Sequence, residues 1–227
     1  MQPYFFPYIG YFQLINAVDQ FVLYDDVNYI KKGWINRNRI LADGAAGFFV
    51  VPCKKASQNK LINEIETLLD QKEKEKLLKT FYHAYHHAPH FEATFNLIEQ
   101  TLNRNARTIA QLAAESILAV CQFLGIETEI MPSSSIFRNR DLKKADRLID
   151  ICRQLKADHY INAAGGAVLY EKDYFLERGI HLFFLESRPI AYRQFGQPFV
   201  PWLSIIDVLM FNPQELVLEF LNEYDLK

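Results

Sequence analysis

Cysteine is scarce in this chain, and the three present, Cys53, Cys121 and Cys152, lie far apart with no Cys-x-x-Cys pair. An odd number of widely spaced cysteines argues against a disulfide framework and indicates reduced thiols in the core. The first residues lack the basic stretch and the small-residue cleavage site of a signal peptide. No uncharged run approaches the roughly 20 residues that a membrane-spanning helix needs. We therefore expect a cytoplasmic protein with no membrane insertion.

The chain also lacks a large excess of either charge, with a formal net charge of -2 and an isoelectric point of about 6.3. This balance argues against electrostatic binding to duplex DNA. Half of the 227 residues are hydrophobic and 14% are aromatic, which is enough apolar surface for a packed core. These values predict one domain over 1–227 that binds a small molecule and no nucleic acid. A homo-oligomer stays open.

Three familiar motifs are missing as well. The dinucleotide-binding spacing Gly-x-Gly-x-x-Gly, the P-loop spacing Gly-x-x-x-x-Gly-Lys-Ser/Thr and the nucleophile motif Gly-x-Ser-x-Gly do not occur. Candidate functional residues must therefore be taken from clusters of polar side chains and from their position relative to strands.

The hydrophobic pattern predicts alternating strands and helices. Short runs rich in branched and aromatic residues indicate strands at 20–26 and 47–52. Apolar residues at helical spacing predict helices over 59–80 and 108–124, and Gly125 is placed to end the second.

The second half of the chain continues as strand, helix, strand and strand, which favours parallel pairing with helices on the faces of the sheet. We predict an α/β fold with a mostly parallel sheet flanked by helices. Residues 54–108 are expected to form a helical insertion, and residues 197–227 a C-terminal segment that docks on the core.

Polar residues follow several predicted strands at the point where each strand ends. Asp25 and Asp26 come after the first, Ser134 after the strand near 130, and Gly165 and Gly166 after the strand near 160. Ligands bind beyond the carboxyl ends of parallel strands, so these residues are expected to converge on one site. Either carboxylate is a candidate base, or a ligand of a Mg²⁺ that accompanies phosphates. Helix caps and turns alone would also explain each piece.

The stretch 25–40 is the densest polar segment. An aromatic ring in it suits stacking on a base or sugar, amides suit its hydroxyls, and arginines suit bidentate binding of an anion. The alternative is a solvated hairpin with ordinary ion pairs. The ligand-binding candidates in this stretch are Lys32, Trp34, Asn36, Arg37, Asn38 and Arg39.

Three further features have two interpretations each. Arg138, after a serine run and before a helix, suits an anion held by a helix N-terminus, or belongs to a plain cap and turn. His83, His86, His87 and His90 suggest a metal, but no acidic or Cys partner lies at a recognised spacing, so we favour an exposed helix end. Asp207 lies in an apolar helical run and needs a partner, an arginine or the backbone, unless it is catalytic.

Several motifs in a fixed order resemble the WbqC-like protein family. They are QPYFFPYIGYF, YDD, NRNR, GFFVVPC, YHHAPHF, NAAGGAVLY and FVPWLSIIDVLMFN, and the resemblance covers 2–212. It implies a role in surface-polysaccharide (O-antigen) sugar synthesis, by transfer of an aminoacyl or acyl group to a nucleotide-linked amino sugar. Similar proteins often begin with an apolar strand that ends in Met-Gln-Pro, which implies that Met1 is an internal methionine of a longer frame.

The N-terminal layout is also similar to the nucleotidylyltransferase superfamily, a HUP-like fold in which His-x-Gly-His opens the first helix. Tyr8, Ile9, Gly10 and Tyr11 occupy those four positions here. The resemblance implies close approach of a phosphate at Gly10, but tyrosine cannot supply the charge of an imidazolium. It adds Gln2, Tyr8, Gly10 and Tyr11 to the ligand-binding candidates.

Together these observations predict a sugar-modifying transferase with an amino sugar or nucleotide-sugar as substrate, and ATP or another nucleotide with Mg²⁺ as the candidate cofactor. The alternatives are a non-catalytic nucleotide- or sugar-binding module and a divergent nucleotidylyltransferase.

Overall fold

The computed structural model describes residues 1–196 and 198–227; Gln197, the first residue of the predicted docking segment, lies outside the described residues. The described residues form eight α-helices and seven short strands. In chain order these are α1 (Ile9–Asn16), β1 (Gln20–Val22), β2 (Arg37–Ala42), β3 (Ala45–Val50), α2 (Gln71–Tyr85), α3 (Phe91–Asn103), α4 (Ile109–Leu124), β4 (Glu129–Met131), α5 (Lys144–Gln154), β5 (His159–Ala163), α6 (Lys172–Leu176), β6 (His181–Ser187), α7 (Ile205–Phe211), α8 (Gln214–Phe220) and β7 (Tyr224–Leu226).

The strands form three small sheets. β1 pairs with β4 in parallel, β2 pairs with β3 as an antiparallel hairpin, and β6 lies between parallel β5 and antiparallel β7. The mixed α/β class is therefore confirmed. The expectation of one mostly parallel sheet is not confirmed, because β1 and β5 belong to separate sheets in the described residues. The hairpin has a local cause: Asp43 and Gly44 take positive φ angles of 51° and 75°, which suits a two-residue turn between antiparallel strands.

The predicted helix over 59–80 is wrong in its first half. α2 begins only at Gln71, after Asp70, whose side chain accepts a hydrogen bond of 2.9 Å from Glu73 N. The backbone before Asp70 forms hydrogen bonds with neighbouring segments: Glu66 O accepts from Lys54 N at 2.8 Å, and Thr67 N donates to Arg107 O at 3.0 Å. These lateral bonds replace the bonds that a helix would make along its axis.

The predicted helix over 108–124 is confirmed as α4. Thr108 caps it, and the side chain of Gln111 in turn accepts a hydrogen bond of 3.1 Å from Thr108 N. Gly125 follows with φ 69°, in the left-handed conformation that ends many helices.

One large hydrophobic core joins the N-terminal segment, the helices of 54–108 and α7. A smaller cluster lies between α5, α6 and β6 and includes Ile149, Phe175 and Leu182. In the C-terminal segment α7 is buried along almost its whole length, and β7 adds an edge strand to β6. No helix in the described part of the chain is long and apolar enough to cross a membrane.

Candidate functional site

The pairing of β1 with β4 brings two polar segments to one edge. Val22 is aligned with Met131, and Leu23 N extends the ladder by donating to Met131 O at 3.0 Å. Because the strands are parallel, the residues that follow them leave the sheet at the same side. Asp25 and the serine run at Ser133 therefore meet there, as the sequence predicts.

Asp25 is held by the serine run. Its Oδ1 accepts hydrogen bonds from Ser133 Oγ at 2.7 Å and from Ser134 N at 3.1 Å. Burial raises the pKa of Asp25 above its ordinary value, although the hydrogen bonds from the two serines oppose this. Both serines donate to Oδ1, and neither donates to Oδ2. Asp25 thus keeps one oxygen for a proton or a ligand.

Asp26 forms a buried ion pair. Arg147 Nη2 donates to Oδ1 at 2.7 Å and to Oδ2 at 2.6 Å, and Ser134 Oγ also donates to Oδ1. The guanidinium lies over the ring of Tyr24, 4.7 Å from its centroid, and its Nε donates to Asn139 at 3.0 Å. Both Asp26 oxygens are engaged, so the arrangement disfavours the predicted role of Asp26 as a base or Mg²⁺ ligand.

A cavity of about 510 Å³, here called the polar cavity, opens beside this ion pair. Its charged lining residues are Asp26, Arg140, Asp141, Lys143, Lys144 and Arg147. Arg140 Nε lies 4.0 Å from Asp26 Oδ2, and α5 begins at the cavity wall. Cationic side chains and the positive end of a helix together suit an anion such as a phosphate.

The glycine pair and Arg138 take other positions than expected. A Cβ on Gly166 would lie 2.5 Å from the amide of Asn162, while Gly165 is exposed and faces open space. The pair turns the chain in a short 3-10 helix after β5, and the residue that reaches the polar cavity is Tyr170. Arg138 is exposed, with φ 51°, and does not line that cavity.

A second cavity of about 320 Å³, here called the aromatic cavity, shares no lining residue with the first. It is lined by Tyr4, Tyr8, Trp34, Asn38, Arg39 and Trp202. The rings of Tyr8 and Trp202 meet edge to face at 6.2 Å. Arg39 lies over Trp34 at 5.6 Å, and the buried Asn38 ties the wall together by donating to Phe6 O at 2.8 Å.

The other candidates of the stretch 25–40 shape the loop. Asn36 accepts from Tyr29 OH at 2.7 Å and donates to Val51 O at 2.8 Å. Arg37 folds back onto the carbonyls of Gly33 and Lys32. None of Lys32, Asn36 and Arg37 lines either cavity, which differs from the predicted pair of anion-binding arginines.

The candidates of the N-terminal motif divide between site and core. Tyr8 lines the aromatic cavity, but Tyr11 is only 1% exposed and donates to Gln2 O at 2.9 Å. This buried position argues against the predicted role of Tyr11 as a ligand-binding residue. A Cβ on Gly10 would collide with the ring of Tyr8 and lie 2.6 Å from Ser187 Oγ. The close approach that Gly10 allows is thus to Tyr8 and Ser187.

The histidines near the end of α2 do not gather into a metal site: within 1–196 and 198–227 no three His, Cys, Asp or Glu side chains are grouped as metal ligands. The ring of His86 stacks on Tyr82 at 5.1 Å.

Comparison with known proteins identifies the family. The model of the WbqC-like protein family matches residues 2–218. The chain belongs to this family. It is 30% identical over 216 residues to the uncharacterized protein Rv1507c of Mycobacterium tuberculosis, a match that covers 93% of this chain and 91% of that relative. No solved structure matches the chain.

Sequence reasoning missed four lining or supporting residues of this WbqC-like protein. Tyr4, Arg147, Tyr170 and Trp202 each reach a cavity, but none was singled out as a ligand-binding candidate. Trp202 carried a signal, because it is one of the two tryptophans of the chain and lies within the motif FVPWLSIIDVLMFN. Arg147 carried none, since it lies in a helix rich in other charges.

Proposed function

We propose that this WbqC-like protein is a cytoplasmic transferase of surface-polysaccharide (O-antigen) synthesis, which adds an aminoacyl or acyl group to a nucleotide-linked amino sugar. Membership of the family supports the pathway, through the resemblance that links its members to polysaccharide gene clusters. The observation that carries the proposal is the group of cationic side chains around Asp26, at the carboxyl edge of β1 and β4.

The polar cavity suits the phosphates of such a ligand. Arg140, Lys143 and Lys144 are exposed and surround the start of α5, so they can neutralise a diphosphate without first breaking a buried pair. Arg147 is already bound to Asp26 and fixes the wall of the cavity. In this proposal the exposed cations bind the ligand, and the ion pair keeps the site in shape.

Asp25 is the proposed base. In acyl transfer to an amine, the nitrogen attacks the acyl carbon of an activated donor, the bond from that carbon to the donor's leaving group breaks, and the nitrogen loses a proton to a base. The raised pKa of Asp25 and an Oδ2 atom to which neither serine donates suit acceptance of that proton. Asp26 is less suited, because Arg147 neutralises it.

A thermal-shift series tests the ligand class. Melting temperature is measured with ATP, a UDP-linked amino sugar and the free amino sugar, each with and without Mg²⁺. We expect the UDP-linked sugar to raise it in a concentration-dependent way, since a ligand that binds only the folded state stabilises it by mass action. Arg140→Ala and Lys144→Ala should reduce the shift, and Lys76→Ala, on the exposed face of α2, should not. No shift with any nucleotide would contradict the proposal.

A product assay tests the chemistry. The protein is incubated with the nucleotide-linked amino sugar and activated acyl or aminoacyl donors, and products are detected by mass spectrometry. Asp25→Asn should lower turnover on the order of 100-fold or more and keep the thermal shift. The matched control is Asp43→Asn in the β2–β3 turn, which should be silent.

The second candidate function is a non-catalytic binding module of the same pathway. It is favoured by one observation: Asp25 is only 4% exposed, so the acid is poorly accessible to a substrate. Nucleotide-sugar binding without product from any donor, unchanged in Asp25→Asn, would select this candidate over the transferase.

A further inference from the structure

The aromatic cavity contains every tryptophan of the chain. There are two, Trp34 and Trp202, and both face this cavity together with Tyr4 and Tyr8. Trp34 is 39% exposed and Trp202 is 51% exposed, which is unusual for the largest apolar side chain. Exposed aromatic rings gathered around a hollow indicate a surface that a ligand covers.

The exposure of Trp202 is built into the backbone. Its φ angle is 59°, a left-handed conformation that costs energy for a bulky residue and persists only where the surroundings impose it. The surroundings do so here: Ser204 N donates to Arg39 O at 2.8 Å, and Ser204 Oγ donates to Phe6 O at 2.7 Å. The start of α7 is thereby fixed to β2 and to the N-terminal segment, and Trp202 is held out over Tyr8.

Arg39 lines the cavity and forms no ion pair with the described residues. Its Nη2 donates to Trp202 O at 2.9 Å, but its Nε is buried and makes no hydrogen bond to the described residues. None of the lining residues is acidic. The protein therefore leaves part of the hydrogen-bonding capacity of this half-buried guanidinium unused, and the part that lines the cavity can bind an acceptor oxygen of a ligand.

We propose that the aromatic cavity binds a pyranose sugar that carries one anionic group, a carboxylate or a phosphate. The apolar C–H face of the ring would lie against the aromatic walls, and the anion would be bound by the guanidinium of Arg39. The volume of about 320 Å³ is at the small end for ligand sites, which fits a monosaccharide better than a whole nucleotide-sugar. This inference does not rest on the transferase proposal, because the two cavities have no lining residue in common.

Intrinsic tryptophan fluorescence tests the inference directly, because both fluorophores line this cavity. The intact protein is titrated with galacturonate and with glucose 1-phosphate, which distinguish a carboxylate from a phosphate. Glucose supplies the ring without the anion, inorganic phosphate supplies the anion without the ring, and UMP supplies a base and a ribose phosphate in place of the pyranose. We expect saturable quenching or a spectral shift with at least one anionic sugar, at tenfold or more lower concentration than with glucose or phosphate.

Variants locate the signal. Arg39→Gln should weaken binding of the anionic sugar tenfold or more and leave the weak response to glucose unchanged. Trp34→Phe and Trp202→Phe each keep one reporter, and both single-tryptophan proteins should respond. The control Arg104→Gln replaces an exposed arginine outside both cavities and should be silent. Circular dichroism verifies folding, and Arg39→Lys, which keeps the charge, serves if Arg39→Gln fails to fold.

Other outcomes would overturn the inference. Tighter binding of UMP than of either sugar would assign the cavity to a base, and equal binding of inorganic phosphate would reduce it to a site for a bare anion. No saturable change with either anionic sugar would also reject it. The transferase proposal can fail on its own: a protein that keeps the fluorescence response but shows no thermal shift with any nucleotide would reject the transferase and leave this inference standing.

Discussion

Arg147 Nη2 lies 2.6 Å from Asp26 Oδ2, and both side chains are almost completely buried. The pair joins α5 to the segment that follows β1, and the two residues are 121 positions apart in the chain. Arg147 also covers the ring of Tyr24 and bonds Asn139, so it connects three segments around the polar cavity.

Removal of one partner of this pair should be strongly destabilising. Arg147→Met leaves a buried carboxylate without its counter-charge, and we expect a loss of about 3–5 kcal/mol in the free energy of unfolding, measured by urea denaturation. The double variant Asp26→Leu/Arg147→Met should recover much of that loss, because it leaves no unpaired charge. Arg188→Met, which breaks the exposed pair with Asp225, is the control and should have little effect. Equal losses in the single and double variants would show that the ion pair is not the cause.

Asp207 tests a second interpretation made from the sequence. An arginine or the backbone was expected as its partner, but its carboxylate accepts from Tyr85 OH at 2.7 Å, Tyr192 OH at 2.6 Å and Gln194 Nε2 at 2.8 Å. The side chain is 0% exposed and lines none of the cavities described above. Asp207 therefore connects α7 to α2 and to the segment that precedes α7.

The two tyrosines should differ in their contribution. Tyr85 OH donates to Asp207 Oδ2 and accepts from Leu41 N at 2.9 Å, so Tyr85→Phe leaves two buried groups without a partner. We expect a loss of about 1–3 kcal/mol for Tyr85→Phe. Tyr192→Phe should cost less, because Gln194 still donates to the same Oδ1. Chemical denaturation of both variants at one pH gives the comparison, and a larger loss in Tyr192→Phe would contradict this assignment.

The same carboxylate should make stability depend on pH. Burial raises the pKa of Asp207 above its ordinary value of 3.8, despite the three hydrogen bonds that oppose the shift. Between the unfolded and the folded pKa the folded state binds more protons, so its stability rises on acidification and falls as pH increases through the folded pKa. Relative to Asp207→Asn, the wild type should therefore gain unfolding free energy as pH is lowered from 7 towards 4. The difference between the two proteins removes the contributions of other acids; a difference that stays constant would exclude this role.

The parts of the fold that the sequence predicted correctly are those controlled by nearby residues. Thr108, Gln111 and Gly125 mark both ends of α4 through caps that need no distant partner. The meeting of Asp25 with Ser133 was also predictable, because it follows from the parallel direction of two strands. The start of α2 was not predictable, because the segment before Asp70 forms hydrogen bonds with backbone that is distant in the chain and absent from the local sequence pattern.

The candidate site was only half predictable for a related reason. Residues of 25–40 were expected in one site, yet the chain divides them: Asp26 reaches the polar cavity, Trp34 and Arg39 reach the aromatic cavity, and Arg37 bonds its own loop. Arg39 reaches the aromatic cavity together with Trp202, to whose carbonyl it donates and which lies 163 positions away, just before α7. No spacing within the stretch encodes such a contact.

Gly10 packs against the ring of Tyr8, which lines the aromatic cavity. A Cβ in Gly10→Ala would enter the space of the Tyr8 ring, and this ring can move since it is the free end of a side chain. We expect a modest destabilisation of about 1–3 kcal/mol and a displaced Tyr8, seen as a changed tryptophan emission spectrum through the contact with Trp202. Gly165→Ala is the matched control, because a Cβ there meets nothing within 4 Å and no left-handed φ is required. If Gly10→Ala unfolds the protein because of the Tyr8 ring, Gly10→Ala/Tyr8→Ala should restore folding; if it does not, the obstacle is Ser187 Oγ, which also lies close to the added Cβ. An unchanged emission spectrum in a folded Gly10→Ala protein would mean that Tyr8 does not depend on Gly10 for its position.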